Sequence, residues 1–200
     1  GPNSVILISD SPCADPLRTE LAGRIQPEQT LSHERWEFAA QTANQIATQV
    51  MDSTGLRTAY HPHCATFVET PQEVEFMMEV THPHVLGLCL DTGHYAYGGG
   101  DPLVLVHRYG ERIWHAHYKG YNANLGAEAR IREMDYSQAI DHGVFSELQD
   151  SHVDYRAITE ALEDYSYDGW IVVEQDVNPG QGHPLESAKR NRNFLKGLGL

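Results

Sequence analysis

Four short apolar runs in this chain each end in residues able to hold a divalent cation. They read Tyr60-His61-Pro62-His63, then Leu88-Cys89-Leu90-Asp91-Thr92-Gly93-His94, then Ile113-Trp114-His115-Ala116-His117-Tyr118-Lys119, then Trp170-Ile171-Val172-Val173-Glu174. Isolated His and Asp residues are common. Consecutive strand ends that carry them are not. In a parallel barrel every C-terminal strand end faces one mouth, so this recurrence limits the architectures open to the chain.

Helical and strand signals alternate around these runs. Val5 to Ile8 reads as a buried-type strand, followed by a polar, Pro-containing loop to about Ser32. Trp36, Ala39, Ala40, Ala43, Ala47 and Val50 form a helical stripe between Glu34 and Val50. Gly55 ends it before a strand from Leu56 to Tyr60. Thr70-Pro71-Gln72-Glu73 is a capping box with Pro at the first helical position, launching a helix with Val74, Met77 and Met78 inward. A strand from Val85 to Leu90 follows, then a helix opened by Asp101-Pro102, then a strand from Ile113 to Ala116. Residues 121–153 are polar and irregular. Asp154 caps a helix with Ile158, Ala161 and Leu162 inward, and Tyr167-Asp168-Gly169 turns into the strand Trp170 to Val173. Pro184 to Leu198 is a basic amphipathic helix.

Strict alternation with strongly apolar strands predicts an α/β fold, a parallel sheet covered by helices. No Gly-x-Gly-x-x-Gly or Walker loop follows any strand, and Gly98-Gly99-Gly100 reads as a turn. That argues against a nucleotide-binding doubly wound sheet and leaves a (β/α) TIM-type barrel. Only five strands are visible, whereas a closed barrel has eight in about 250 residues. The expectation is a single, truncated barrel domain over residues 1–200 lacking three N-terminal strands, either the later part of a longer chain or a naturally shortened barrel. Gly1-Pro2 reads as a protease scar. Open strand edges predict a covering partner, plausibly a second copy in a dimer.

Net charge is −14 with His neutral, which disfavours nucleic acid and anionic membranes as partners. It suits a site that gathers a cation, or a surface kept soluble. The three cysteines, Cys13, Cys64 and Cys89, have no finger spacing, which predicts reduced thiols and a cytoplasmic setting. No apolar run approaches the roughly 20 residues of a membrane helix.

Asp91 at a buried strand end needs a partner, and a divalent cation is one remedy. A helix cap or an ion pair is another. His115 and His117 share a strand face, with Trp114 and Ala116 on the opposite one. His117 is nearer the strand end and is the better ligand; His115 reads as a supporting or core histidine. Glu174 fits either a ligand or a partner to a nearby cation. The fourth position is open between the strand end at His61 and His63 and Glu69, which could instead serve the helix that follows it. An oxygen-rich set with one imidazole favours Mn²⁺, Co²⁺ or Mg²⁺, with Zn²⁺ an alternative. Such an ion polarises a ketone or hydroxyl oxygen, and a nearby base can take the α-proton.

These residues resemble the xylose-isomerase-like TIM-barrel superfamily of sugar isomerases, epimerases and related lyases, and within it the inosose dehydratase (2-keto-myo-inositol dehydratase) branch. The likeness is carried by Tyr60 to His63 through Val68-Glu69-Thr70, Leu90 to His94, Gly99 to Pro102, Arg112 to Lys119, Gly143-Val144-Phe145, Val153-Asp154-Tyr155 and Tyr167 to Glu174. It spans about residues 5 to 198. The resemblance implies one divalent metal held by Asp91, His117, Glu174 and either Glu69 or His61, with His94 and Lys119 lining a sugar or polyol pocket. Many relatives carry Glu where this chain has His61; members of the inosose dehydratase branch carry His-x-His there, as this chain does. Gly120 stands where relatives usually have Asp.

The expected activity is a metal-dependent carbon–oxygen lyase that removes water from a keto-inositol-like substrate, with His61 or His63 as acid or base. Ketose epimerisation or aldose–ketose isomerisation on the same metal set is the alternative enzyme. A truncated barrel that serves only as a binding or dimerisation module is the alternative of another class.

Overall fold

The computed structural model describes residues 4–176 and 183–200; the Gly1-Pro2 expectation lies outside the described residues. Five strands, β1 (Val5–Ile8), β2 (Arg57–Tyr60), β3 (Leu86–Asp91), β4 (Ile113–Lys119) and β5 (Ile171–Glu174), form one sheet in chain order. Every neighbouring pair is parallel. The helices are α1 (Pro16–Glu20), α2 (His33–Thr54), α3 (Pro71–Val80), α4 (Thr92–Tyr97), α5 (Pro102–Tyr109), α6 (Ala123–Ile131), α7 (Tyr136–Asp141), α8 (Tyr155–Asp164) and α9 (Pro184–Leu198).

The sheet curls into half a barrel. Side-chain atoms of His61, beyond β2, and Glu174, ending β5, come within 4.8 Å of each other. Three strand spacings of a flat sheet would separate their backbones by about 14 Å, so the concave side must draw them together.

Alternation on the strands explains which face does what. Leu86, Leu88 and Leu90 of β3 are fully buried, as are Ala116 and Tyr118 of β4. They pack in one core with Val74, Met77 and Met78 of α3, Leu105 and Val106 of α5, and Ile158 and Leu162 of α8. Each of these larger aliphatic side chains gains about 1.5–3 kcal/mol from burial. A second cluster joins Ala22, Cys64 and Ala65 to Tyr97, Tyr121, Tyr136, Val144 and Phe145, and it walls one side of the strand ends. The predicted Thr70 box is present: Thr70 Oγ1 accepts from Glu73 N while the Glu73 carboxylate accepts from Thr70 N.

Two expectations need correction. Residues 121–153 are largely helical, containing α6 and α7, each begun by an Asn or Asp cap, Asn122 and Asp135. Trp114 does not follow the plain alternation either. The pairing runs Leu88 with Ile113 and then Cys89 with His115, leaving Trp114 as the extra residue of a β-bulge. The bulge swings the indole over Gly87, where no Cβ stands in its way, and the Arg57 guanidinium lies 5.2 Å from its ring.

Candidate metal centre

Asp91 ends β3 and begins α4. Its Oδ1 accepts the His94 amide at 2.8 Å, so it caps the helix as one sequence reading expected. Its Oδ2 is left for other work. His61 Nε2 lies 3.4 Å from that oxygen and His117 Nδ1 lies 3.5 Å from it. His117 Nδ1 is also 3.0 Å from Glu174 Oε2. That approach lacks hydrogen-bond alignment, and both atoms are buried without a hydrogen bond. Register accounts for the meeting: Asp91 pairs with His117, and Lys119 with Glu174.

An octahedral ion about 2.1 Å from each ligand sets adjacent ligand atoms about 3 Å apart. The 3.0 Å between His117 Nδ1 and Glu174 Oε2 matches that spacing, the 3.4 and 3.5 Å to Asp91 Oδ2 lie within half an ångström of it, and the two orphaned atoms are those an ion would satisfy. One ligand atom each of His61, Asp91, His94 and Glu174 also lies within 4.8 Å of the others. The donor set therefore fits one divalent cation of oxygen and imidazole preference.

Charge in the cluster is tightly linked. Burial opposes ionisation of Asp91, but the imidazoles of His94, His117 and His61 outweigh it and hold the carboxyl well below its ordinary range. Burial works against an imidazolium at His117, yet the Asp91 and Glu174 carboxylates raise it to about 9. Burial of Glu174 is likewise outweighed, here by His117 and Lys119, and its carboxyl is lowered. Lys119, 1% exposed, is raised despite burial by the Asp91, Glu174 and Asp176 carboxylates.

The structure does not bring Glu69 to this point. Glu69 Oε1 accepts from Gly23 N at 2.6 Å and Oε2 from Ala65 N at 2.7 Å. Burial exceeds the pull of those two amides and lifts the carboxyl to about 7. Glu69 thus ties the turn after α1 to the loop after β2. Of the two candidates for the fourth position, His61 is the one whose ring reaches Asp91.

His63 and His94 stack with ring centroids 3.7 Å apart. His63 Nδ1 lies 2.6 Å from the Cys64 carbonyl oxygen. A carbonyl only accepts, so Nδ1 carries the proton and Nε2 keeps its lone pair. His94 is buried with both ring nitrogens unpartnered, and burial lowers its pKa well below the ordinary imidazole value. Burial also lowers His63. His115 sits one step below His117 with ring centroids 5.1 Å apart.

Sequence reasoning missed three neighbours. Asp176 Oδ2 holds Lys119 Nζ at 2.9 Å; its place two residues after Glu174, on the same side of an extended chain, was the available signal. Phe145 lies 4.9 Å beneath the Lys119 ammonium and edge-on to His94 at 5.0 Å. Tyr136 flanks His63, with ring centroids 5.8 Å apart. Both aromatics come from the stretch that gave no strand or helix signal.

Known proteins resemble this chain in sequence and fold. The Xylose isomerase-like TIM barrel family matches residues 13–198. Inosose dehydratase of Geobacillus kaustophilus is 34% identical over 170 residues, covering 85% of this chain and 55% of that protein. The rhizopine catabolism protein MocC of Rhizobium meliloti is 38% identical over 165 residues, covering 82% of this chain and 50% of that protein. The chain spans about half the length of these relatives. Among solved structures, a D-tagatose 3-epimerase-like protein superposes with a TM-score of 0.63 at 15% identity, over 98% of this chain and 61% of that one. The chain belongs to the xylose isomerase-like TIM-barrel family.

Proposed function

We propose that this chain acts on a sugar or cyclic polyol, and that its reaction is loss of water from a keto-inositol-like substrate with one divalent ion, Mn²⁺, Co²⁺ or Mg²⁺, at the mouth of the half-barrel. The carrying observation is the close approach of His61 Nε2 and His117 Nδ1 to Asp91 Oδ2 and of His117 Nδ1 to Glu174 Oε2, the last two atoms being buried and without a hydrogen bond. The similarity to inosose dehydratases supports the choice of substrate class. Bound there, the ion supplies Lewis acidity to a substrate oxygen.

The chain's own residues do the rest. His63 Nε2, free because Nδ1 is tied to Cys64, takes the proton α to the carbonyl. Lys119, fixed by Asp176 and seated on Phe145, offers a buried ammonium to the oxygen that leaves or gains charge. His94 packs against His63 with the rings tilted by 41° and keeps that ring in place. Asp91, His117, Glu174 and His61 hold the ion. Glu69, its oxygens engaged by Gly23 and Ala65, is a positioning residue for the wall beside the site.

Epimerisation is the second reading, since D-tagatose 3-epimerase-like and L-ribulose 3-epimerase structures share the fold. A two-carboxylate exchange of the α-proton would need Glu69 and Glu174 together on the ion. The engagement of Glu69 with backbone amides favours dehydration. Incubation of the metal-loaded protein with 2-keto-myo-inositol, followed by mass spectrometry, separates them. Loss of one water is expected. An unchanged mass with inverted stereochemistry of a ketose would replace dehydration by epimerisation, and metal bound without turnover of either substrate would leave a binding module. We also propose that a second copy covers the outer strands β1 and β5, in a cytoplasmic dimer; sedimentation equilibrium giving a monomer mass would refute that pairing.

A further inference from the structure

We infer that the mouth contains a second cation position, built from His61, Cys89 and His117, that takes a thiophilic ion and excludes the oxygen-bound one. Cys89 precedes Asp91 by two residues on β3, so the thiol lies on the same face, one step deeper. Cys89 Sγ and one ring nitrogen each of His61 and His117 all lie within 4.8 Å of one another. A tetrahedral ion bound at about 2.1 Å to nitrogen and about 2.3 Å to sulfur sets such atoms roughly 3.5 Å apart. Rotation of the two imidazoles supplies the remaining ångström or so. Cys89 is wholly buried, which shields the position from competing solvent ligands.

The two positions share ligands. His61 belongs to the oxygen-rich group with Asp91, His94 and Glu174 and also to the thiol group. His117 Nδ1 faces the two carboxylates and its ring also reaches the thiol. An ion seated at Cys89 therefore removes both imidazoles from the carboxylates above. Ligand softness decides between the positions: carboxylate and water suit Mg²⁺ and Mn²⁺, whereas thiolate draws Zn²⁺, Cd²⁺ or Cu⁺. As such an ion binds, the thiol proton leaves to solvent and a metal–sulfur bond forms, with no change of oxidation state. The lower position is inhibitory by its geometry. The thiol position stands on its own three residues; only the exclusion rests on the proposed function of the upper one.

Titration of the whole chain with Cd²⁺, in a Cys13→Ser background that removes the exposed thiol, reads the position directly. An ultraviolet thiolate-to-metal charge-transfer band saturating at one ion per chain is expected. It should vanish in Cys89→Ser and in Cys89→Ala, persist in Asp91→Asn and Glu174→Gln, and need at least tenfold more Cd²⁺ in His117→Gln. Bound Cd²⁺ should lower Mn²⁺ uptake, followed by electron paramagnetic resonance, at least tenfold, and Cys89→Ser should restore it. A band that survives Cys89→Ser or follows Cys64→Ser, or Cd²⁺ bound with no band, overturns the inference. So does binding of Mn²⁺ and Cd²⁺ together. If Mn²⁺ binds no variant while the Cd²⁺ band still follows Cys89, the oxygen-rich centre fails and the thiol position stands.

Discussion

Asp91 carries two tasks on two oxygens, and substitutions can part them. Asparagine caps a helix as well as aspartate does, so Asp91→Asn keeps the bond to His94 while losing the charge at Oδ2. Bound divalent metal, by inductively coupled plasma mass spectrometry, should fall from about one per chain to under a tenth, with circular dichroism unchanged. Asp91→Ala should lose the metal as well, together with about 1 kcal/mol of cap stability. On the proposed ligand set, the ion competes with a proton at His117. Its pKa, raised from 6.5 to about 9 by the two carboxylates, means binding below that pH must expel one proton. Apparent metal affinity should rise about tenfold per pH unit from 7 and level off near 9. In the ion-free protein the sign runs the other way. A raised pKa gives stability that is complete below about 6.5 and lost as pH rises through about 9. Melting temperatures of the ion-free chain should therefore drop across that window, and His117→Gln should flatten the slope.

At the scale of elements, the bulge in β4 depends on a missing side chain in β3. A Cβ on Gly87 would stand inside the Trp114 ring. Gly87→Ala should destabilise the fold by about 1–3 kcal/mol through overpacking, measured by urea unfolding, and adding Trp114→Leu should recover part of the loss. Glu69 does similar work between loops. Glu69→Ala frees the amides of Gly23 and Ala65 in a buried setting, which costs about 1–3 kcal/mol per orphaned donor. Hydrogen exchange at these two amides should accelerate well before exchange in β3 does. Metal stoichiometry should stay near one, because Glu69 is outside the cluster; a parallel loss of metal would return it to the ligand set.

Across the whole molecule, one buried ion pair fastens the long β1–α2 connection to the rest. Arg18 of α1 donates to both oxygens of Glu73 at 2.9 and 2.8 Å and to the Thr66 carbonyl at 2.6 Å. Both side chains are nearly inaccessible, at 1% and 4%. Removing one partner of such a pair leaves a buried charge and costs about 3–5 kcal/mol. Glu73→Ala should show that loss in thermal unfolding, with part of it from the Thr70 capping box. Among the described residues no helix is long and apolar enough to cross a membrane.

The order of strands, the start of α3 and α9 and the inward faces of α2, α3 and α8 were legible in the sequence, because period, cap and breaker residues act within a few positions. So was the delivery of Asp91, His117 and Glu174 to strand ends. The sequence could not assign the partners of Glu69, the bulge at Trp114, the anchoring of Lys119 by Asp176, or the approach of His61 to Asp91. Those depend on distances between residues such as Gly23, Glu69, Phe145 and Asp176 that the chain separates widely. Packing between distant segments decides them: the gap at Gly87 admits the Trp114 ring, loop amides claim both Glu69 oxygens, and the curvature of the sheet draws His61, beyond β2, to Glu174 at the end of β5.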